Sequence, residues 1–432
     1  MDLWKINDTS EQVATTTPGA QGQGKHKRSP QRPTERTMGS LVRVWLQLDY
    51  IPTYCVLLAA SRIFRRCYLI DALGTPGANQ TNHQPGLTLQ HTINQRTQQL
   101  LTEQAPITLH SFLLTGSESK RKTPQSSSTP EKKPSVGHMD EIIHAPWLAV
   151  APEILHTIEQ SPAIFLLNPL TPRLFTHDDL QALFQRTVSS EYGLLLFHKQ
   201  IEQCLQLANK RPEQATALTA LLRSDRWKGL DPSKAKGING FVTLFVKAIQ
   251  RHFPWSPQQI SLTMQNGPAS VAPLPMTLIF ATRRPDSLLG MNDAFCRYQR
   301  STVQASFKGV LSEEWFVEQE QQRQSSALQQ LAQQLQQQGR LRKIRRWPEL
   351  RQYSLLHAFG QFTQAEYDTC IQQLIAQKQV HCLWHQLPQQ QRQQQPATEQ
   401  QSQSEQESRV PGNEDTLIWD VDVSGRDRKR TR

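Results

Sequence analysis

No stretch of this 432-residue chain is apolar for long enough to span a bilayer. The most apolar early run, Ile51 to Ala60, is too short, and Arg62, Arg65 and Arg66 follow it closely. The start, Met1-Asp2-Leu3-Trp4-Lys5, lacks the apolar core of a signal peptide. The six cysteines, Cys55, Cys67, Cys204, Cys296, Cys370 and Cys382, form no C-x-x-C pair and are widely scattered. These absences lead us to expect reduced thiols, a cytoplasmic location and no membrane partner. No Ser-His-Asp order, P-loop or paired-carboxylate arrangement stands out. Apolar residues make up only 37% of the chain, with the deficit concentrated in a few stretches. A core is therefore expected in the middle of the chain and not at its ends.

What is present begins with charge. The formal net charge of +11 favours contact with nucleic acid or another polyanion. The plainer reading is a protein with basic tails, since Lys25-His26-Lys27-Arg28 and Arg426-Asp427-Arg428-Lys429-Arg430 sit in polar, low-complexity ends. Residues 1–38 read as a disordered arm, 115–137 as a low-complexity insertion, and 388–432 as a disordered Gln-rich and basic tail.

Between them, the pattern alternates. Leu41 to Leu48 and Tyr54 to Phe64 read as helices. Cys67 to Ile70 is a short apolar strand running into Asp71-Ala72-Leu73-Gly74-Thr75-Pro76-Gly77. A helix over 87–101, a strand over 107–114, the continuously apolar strand 163–167 and a strand over 193–197 follow. Thr176 with Asp179 is a capping box for the helix between the last two. Helices are expected at 198–208, 212–224 and 236–252, then a hairpin from 260–264 and 276–280. This order predicts an α/β domain over 39–308, with a Rossmann-like, mostly parallel sheet and an antiparallel edge strand. Residues 309–339 read as a Gln-rich linker helix. Residues 340–387, with a capping box at Thr363–Glu366 and a strand near 380–384, are compatible with a winged helix.

The serial order of motifs resembles that of the three-Cys-motif partner proteins, a bacterial family with a methyltransferase-like domain. The family's strand and D-x-F-A-G-P-G are similar to Asp71 through Gly77, and its helix start to Pro85-Gly86-Leu87. Its F-I-D-P-F-G is similar to Phe165-Leu166-Leu167-Asn168-Pro169-Leu170, and its D-E-W-R to Asp225-Arg226-Trp227-Lys228. Its late strand resembles Phe280-Ala281-Thr282-Arg283-Arg284-Pro285, with Leu289-Gly290-Met291 after it. The resemblance covers about residues 40–300. It implies a class I methyltransferase-type fold, S-adenosylmethionine as cofactor, and a partner protein encoded in the same system.

Under that resemblance Asp71, Gly74 and Gly77 would line the cofactor, the glycines letting the backbone approach it. Gly74 and Gly77 can equally make a plain tight turn. Asn168 and Pro169 stand where amino-methyltransferases carry a polar residue and a proline, whose acceptors orient a target amino group. They can equally be a capped strand end. Several departures from the pattern count against catalysis: Leu73 for an aromatic residue, Thr75 for glycine, Leu170 after the proline, and no acid directly after the second strand to hold a ribose. Glu118 comes a few residues late for that role.

His381 and His385 with Cys370 and Cys382 carry metal-capable atoms, but a strand would turn His381 and Cys382 to opposite faces, so no metal is expected. His198-Lys199 reads as a solvated pair. Arg340, Arg342, Lys343, Arg345 and Arg346 form the strongest basic patch within ordered sequence, suited to phosphate contacts or simply to a solvated face. Two functions follow: a degenerate S-adenosylmethionine-dependent methyltransferase acting near nucleic acid, or a non-catalytic module that binds nucleic acid or protein on the same fold.

Overall fold

Five consecutive apolar residues can all be buried in a strand that is covered on both faces. Ala163–Leu167 (β4) is such a strand, and every one of its side chains is buried. It belongs to a seven-stranded sheet in a computed structural model that describes residues 42–73, 94–101, 107–114, 140–171, 173–264, 274–307, 313–385 and 409–419. The other strands are Arg66–Ala72 (β1), Thr108–Leu114 (β2), Asp140–Ile143 (β3), Ser190–Phe197 (β5), Gln258–Met264 (β6) and Leu274–Ala281 (β7). Their spatial order is β3-β2-β1-β4-β5-β7-β6. β1 to β5 are all parallel. The expectation of an antiparallel edge needs one correction. The strand that runs against the rest is β7, second from the edge, because it pairs antiparallel with both β5 and β6. β6 holds the edge itself and, after two reversals, runs with β5.

Side chains alternate between the faces, as strand geometry requires. Ile164 and Leu166 enter one core, whereas Ala163, Phe165 and Leu167 enter the other. The second core is closed by Trp147–Thr157 (α2), His177–Phe184 (α3), His198–Lys210 (α4), Pro212–Leu222 (α5) and Ala235–Gln250 (α6). Thr176 and Asp179 form the expected reciprocal cap at the start of α3.

The first core is covered at one end by a helical run, in which a π-turn, Leu46–Tyr50, leads into Ile51–Ala60 (α1). The sequence pattern divides this run into two helices. Pro52, which has no N–H to donate, sits in the first turn of α1, where its missing donor is least costly.

The remaining cover comes from Pro285–Phe307 (α7), Glu313–Arg342 (α8), Trp347–His357 (α9) and Gln364–Ala376 (α10). Here the linker reading of 309–339 is corrected. Leu331 and Leu335 of α8 are buried in the same core as Leu166, Trp347 and Tyr367. A face of Leu and Ala embedded among glutamines is enough to dock the helix, at about 1.5–3 kcal/mol per buried leucine. Arg300 of α7 also reaches both oxygens of Glu366 in the α10 capping box, at 2.8 and 2.7 Å.

A second correction concerns 388–432. Thr416–Trp419 (β9) is a strand paired antiparallel with Val380–Leu383 (β8). Leu417 and Trp419 are buried, and the Trp419 indole donates to the Ile344 carbonyl at 2.7 Å. Gly339 makes room for it, since a Cβ there would lie 2.2 Å from the ring. The insertion 115–137 and the arm 1–38 lie outside the described residues.

Candidate functional site

β1 and β4 are neighbours, and the chain order reverses between them: β2 and β3 lie outward of β1, β5 outward of β4. In open α/β sheets the crevice at such a point, beyond the carboxyl ends of the strands, is where ligands bind. The register sets Asp71 opposite Leu166 and Ala72 opposite Leu167, so Asp71 and Asn168 reach the same rim. The structure therefore brings together two of the sequence-predicted sites. Gly74 and Gly77 lie outside the described residues.

The chemistry at the rim is largely occupied by the protein itself. Asp71 lies within β1 and is 1% exposed. Its Oδ2 is 2.5 Å from Nε of Arg43, which is 3% exposed, and its Oδ1 accepts from the Leu73 N–H at 3.1 Å. A buried carboxylate needs such a partner, because desolvating an unpaired charge costs several kcal/mol. Asp71 thus neutralises Arg43 and shapes the turn after β1, and both its oxygens are already engaged.

Asn168 is engaged in the same way. Its Oδ1 accepts from the Leu170 N–H at 3.0 Å and its Nδ2 donates to Gln200 Oε1 at 3.0 Å, all in buried surroundings. The Pro169 carbonyl accepts from the Phe175 N–H at 2.9 Å. One acceptor position on each of these oxygens is therefore used in closing the β4–α3 loop, and Leu170 is buried rather than presented to a base. His198 opens α4 at the same rim and bonds Thr277 Oγ1 at 2.9 Å, with burial holding its pKa below the usual imidazole value. The described rim residues Asp71 and Asn168 thus use their charged and amide groups within the protein.

The basic patch is arranged differently. Arg340 and Arg342 occupy the last turn of α8, where cations complement the helix dipole. Lys343 takes the left-handed conformation that ends the helix (φ 55°), and Arg345 and Arg346 follow in the loop before α9. All five side chains are exposed, and none forms an ion pair among the described residues. Arg342 stacks over Tyr353 at 4.3 Å. β9 pins the loop's backbone, with the Leu417 N–H on the Arg345 carbonyl at 2.7 Å and the Trp419 indole on that of Ile344. Leu341 between the cations is 74% exposed.

Sequence reasoning missed Glu191, at the opposite rim. It is the second residue of β5, is 0% exposed, and accepts from Thr282 Oγ1 at 3.0 Å, with the Ser287 and Tyr50 hydroxyls beside it. Burial raises its pKa to about 8, outweighing these hydroxyls and the weaker effect of Arg284. The only hint in the sequence is an acid at the head of an apolar strand.

His381 and Cys382 fall on opposite faces of β8. Among the described residues no His, Cys, Asp and Glu side chains group in a way that could hold a metal, and no helix is long and apolar enough to cross a membrane. An open cavity of about 380 Å³ beside Leu48, Pro52, Val56 and Leu100 involves none of the predicted site residues. No protein-family model matches this chain, and no curated protein sequence matches it.

Proposed function

We propose that the chain is a non-catalytic nucleic-acid-binding protein built on a methyltransferase-type sheet, a divergent relative in kind of the three-Cys-motif partner proteins. The observation that carries this is the basic segment 340–346: five exposed cations, free of acidic partners among the described residues, on a backbone held by β9. Cations on a fixed loop lose less entropy on meeting phosphates than cations on a free tail. The order α8, α9, α10, then the β8–β9 pair supports a winged-helix-like reading of this unit. The engaged atoms of Asp71, Asn168 and Pro169 support the loss of cofactor chemistry.

The test is duplex binding against salt, with an Arg342→Gln/Arg345→Gln/Arg346→Gln variant. Each phosphate that the variant no longer neutralises lowers the slope of log K against log salt by about 0.9. Equal slopes for variant and wild type would refute the assignment.

Methyl transfer is the second reading, favoured by one observation. The sheet order, with an antiparallel β7 inserted between β5 and β6 and a reversal point beside Asp71 and Asn168, supports this reading. Saturable binding of labelled S-adenosylmethionine that disappears in Asp71→Ala would favour it over the first.

A further inference from the structure

Three arginines and two histidines converge where the start of α3, the end of α5 and the end of α6 meet. The Arg251 guanidinium bonds His177 Nε2 through Nη2 and His252 Nε2 through Nε, the latter at 3.3 Å. The two imidazoles stack with centroids 5.3 Å apart. A guanidinium only donates, so both Nε2 atoms act as acceptors; the 3.4 Å Nε2–Nε2 contact between the rings then carries no proton, and both rings are neutral, with their proton on Nδ1. Burial is the first cause holding both pKa values below the usual imidazole value. Arg223 and His252 add to it at His177, and Arg283 and Arg223 at His252.

Among the described residues, the charges facing the pair are Arg223, Arg251 and Arg283, against the acid Asp178. Arg283 is already occupied: it donates to the Phe184 and Arg186 carbonyls and lies over the Phe253 ring. Arg223 and Arg251 are exposed, and no described acid pairs with either. His177 is 5% exposed, and its Nδ1 is buried without a partner. No described residue bonds Nδ1 of His252.

We propose that this cluster is a binding site for a phosphate monoester. Arg223 and Arg251 would donate to its oxygens, the Nδ1–H of His252 would add a third donor, and His177 would hold Arg251 in place. A dianion relieves the mutual repulsion of the arginines and lets His252 take up a proton on Nε2 in place of its 3.3 Å bond from Arg251, which His177 still holds, so binding and protonation reinforce each other. The site lies in different elements from the 340–346 segment and does not depend on that segment's function.

The full-length protein is titrated with inorganic phosphate, sulfate, a nucleoside 5′-monophosphate, and one oligonucleotide with and without a 5′-phosphate. Saturable phosphate binding is expected, weakened about tenfold or more in Arg223→Gln and in Arg251→Gln, as for loss of a charged hydrogen bond. Both side chains are exposed, so the variants should fold, with circular dichroism as the check. Binding persists in the Arg345→Gln/Arg346→Gln variant. Sulfate keeps both charges between pH 8 and 6, so tighter sulfate binding at pH 6 reports the histidine protonation. Preference for the monophosphate over phosphate assigns a small ligand, and preference for the 5′-phosphorylated oligonucleotide assigns a nucleic-acid end. No saturable binding of any probe, or binding unchanged in both arginine variants, overturns the proposal. A sulfate affinity that stays flat from pH 8 to 6 overturns the part given to the histidines.

Discussion

The two rims of the sheet each bury one carboxyl group, and they handle it in opposite ways. At the carboxyl ends of the strands, Asp71 has the Arg43 guanidinium 2.5 Å away and a backbone N–H on its other oxygen. At the other rim Glu191 has hydroxyls around it, Arg284 is the weakest of the groups that favour its charged form, and its pKa rises to about 8. One acid is held by an ion pair and the other by being left protonated at neutral pH. Burial alone therefore does not determine the charge of an acid. The nearest cation does, because in a poorly screened interior an adjacent opposite charge offsets much of the lost hydration and a hydroxyl does not.

The contrast is sharpest if the cation is removed. Arg43→Met leaves Asp71 buried without its partner and is expected to cost about 3–5 kcal/mol, read as a fall in chemical-denaturation midpoint. Arg43→Met combined with Asp71→Leu should recover a good part of it. No recovery would mean that the pair is not what stabilises this rim.

Next in size is a test of whether the rims and the C-terminal helices share one core. Leu335→Ala is expected to cost about 2–5 kcal/mol and to shift a single unfolding transition. A separate low-temperature transition confined to the variant would show that α8 is the spacer its glutamines suggest.

Glu191 supplies a pH signature. Its pKa is raised from 4.5 unfolded to about 8 folded, so the native state holds a proton that the unfolded state has released across that window. The contribution to stability is complete below pH 4.5 and declines as pH rises to about 8, by about 1.4 kcal/mol per pH unit, then levels off. Glu191→Gln should flatten that slope. An unaltered slope would place the titration elsewhere. The smallest effect expected is in Thr363→Ala, about 1 kcal/mol, from loss of the α10 cap seen in thermal unfolding.

The strands most buried in the structure were the easiest to read. Residues 163–167 form β4 as expected, since a wholly apolar run bounded by Asn168-Pro169 admits few alternatives. The capping boxes at Thr176 and Thr363 were legible because they are local, side chain to backbone within four residues. β3 and β9, four residues each, carry too little pattern to be recognised and exist because β2 and β8 offer them an edge. At the rim, the position of Asp71 and Asn168 could be read from strand order, but not their partners. Arg43 and Gln200 lie 28 and 32 residues away in sequence, on elements the local pattern does not link to them.

By itself the sequence determined the alternation of strands and helices, the caps, and the placing of five cations from the last turn of α8 to the start of α9. These follow from apolar period and local hydrogen bonding, which need no distant neighbour. Only the tertiary structure decided that a glutamine-rich helix is core, that a tail segment is a strand, and that Asp71 faces an arginine while Glu191 faces hydroxyls. Such outcomes depend on which surfaces meet, and burial energies and ion pairs arise only where they do.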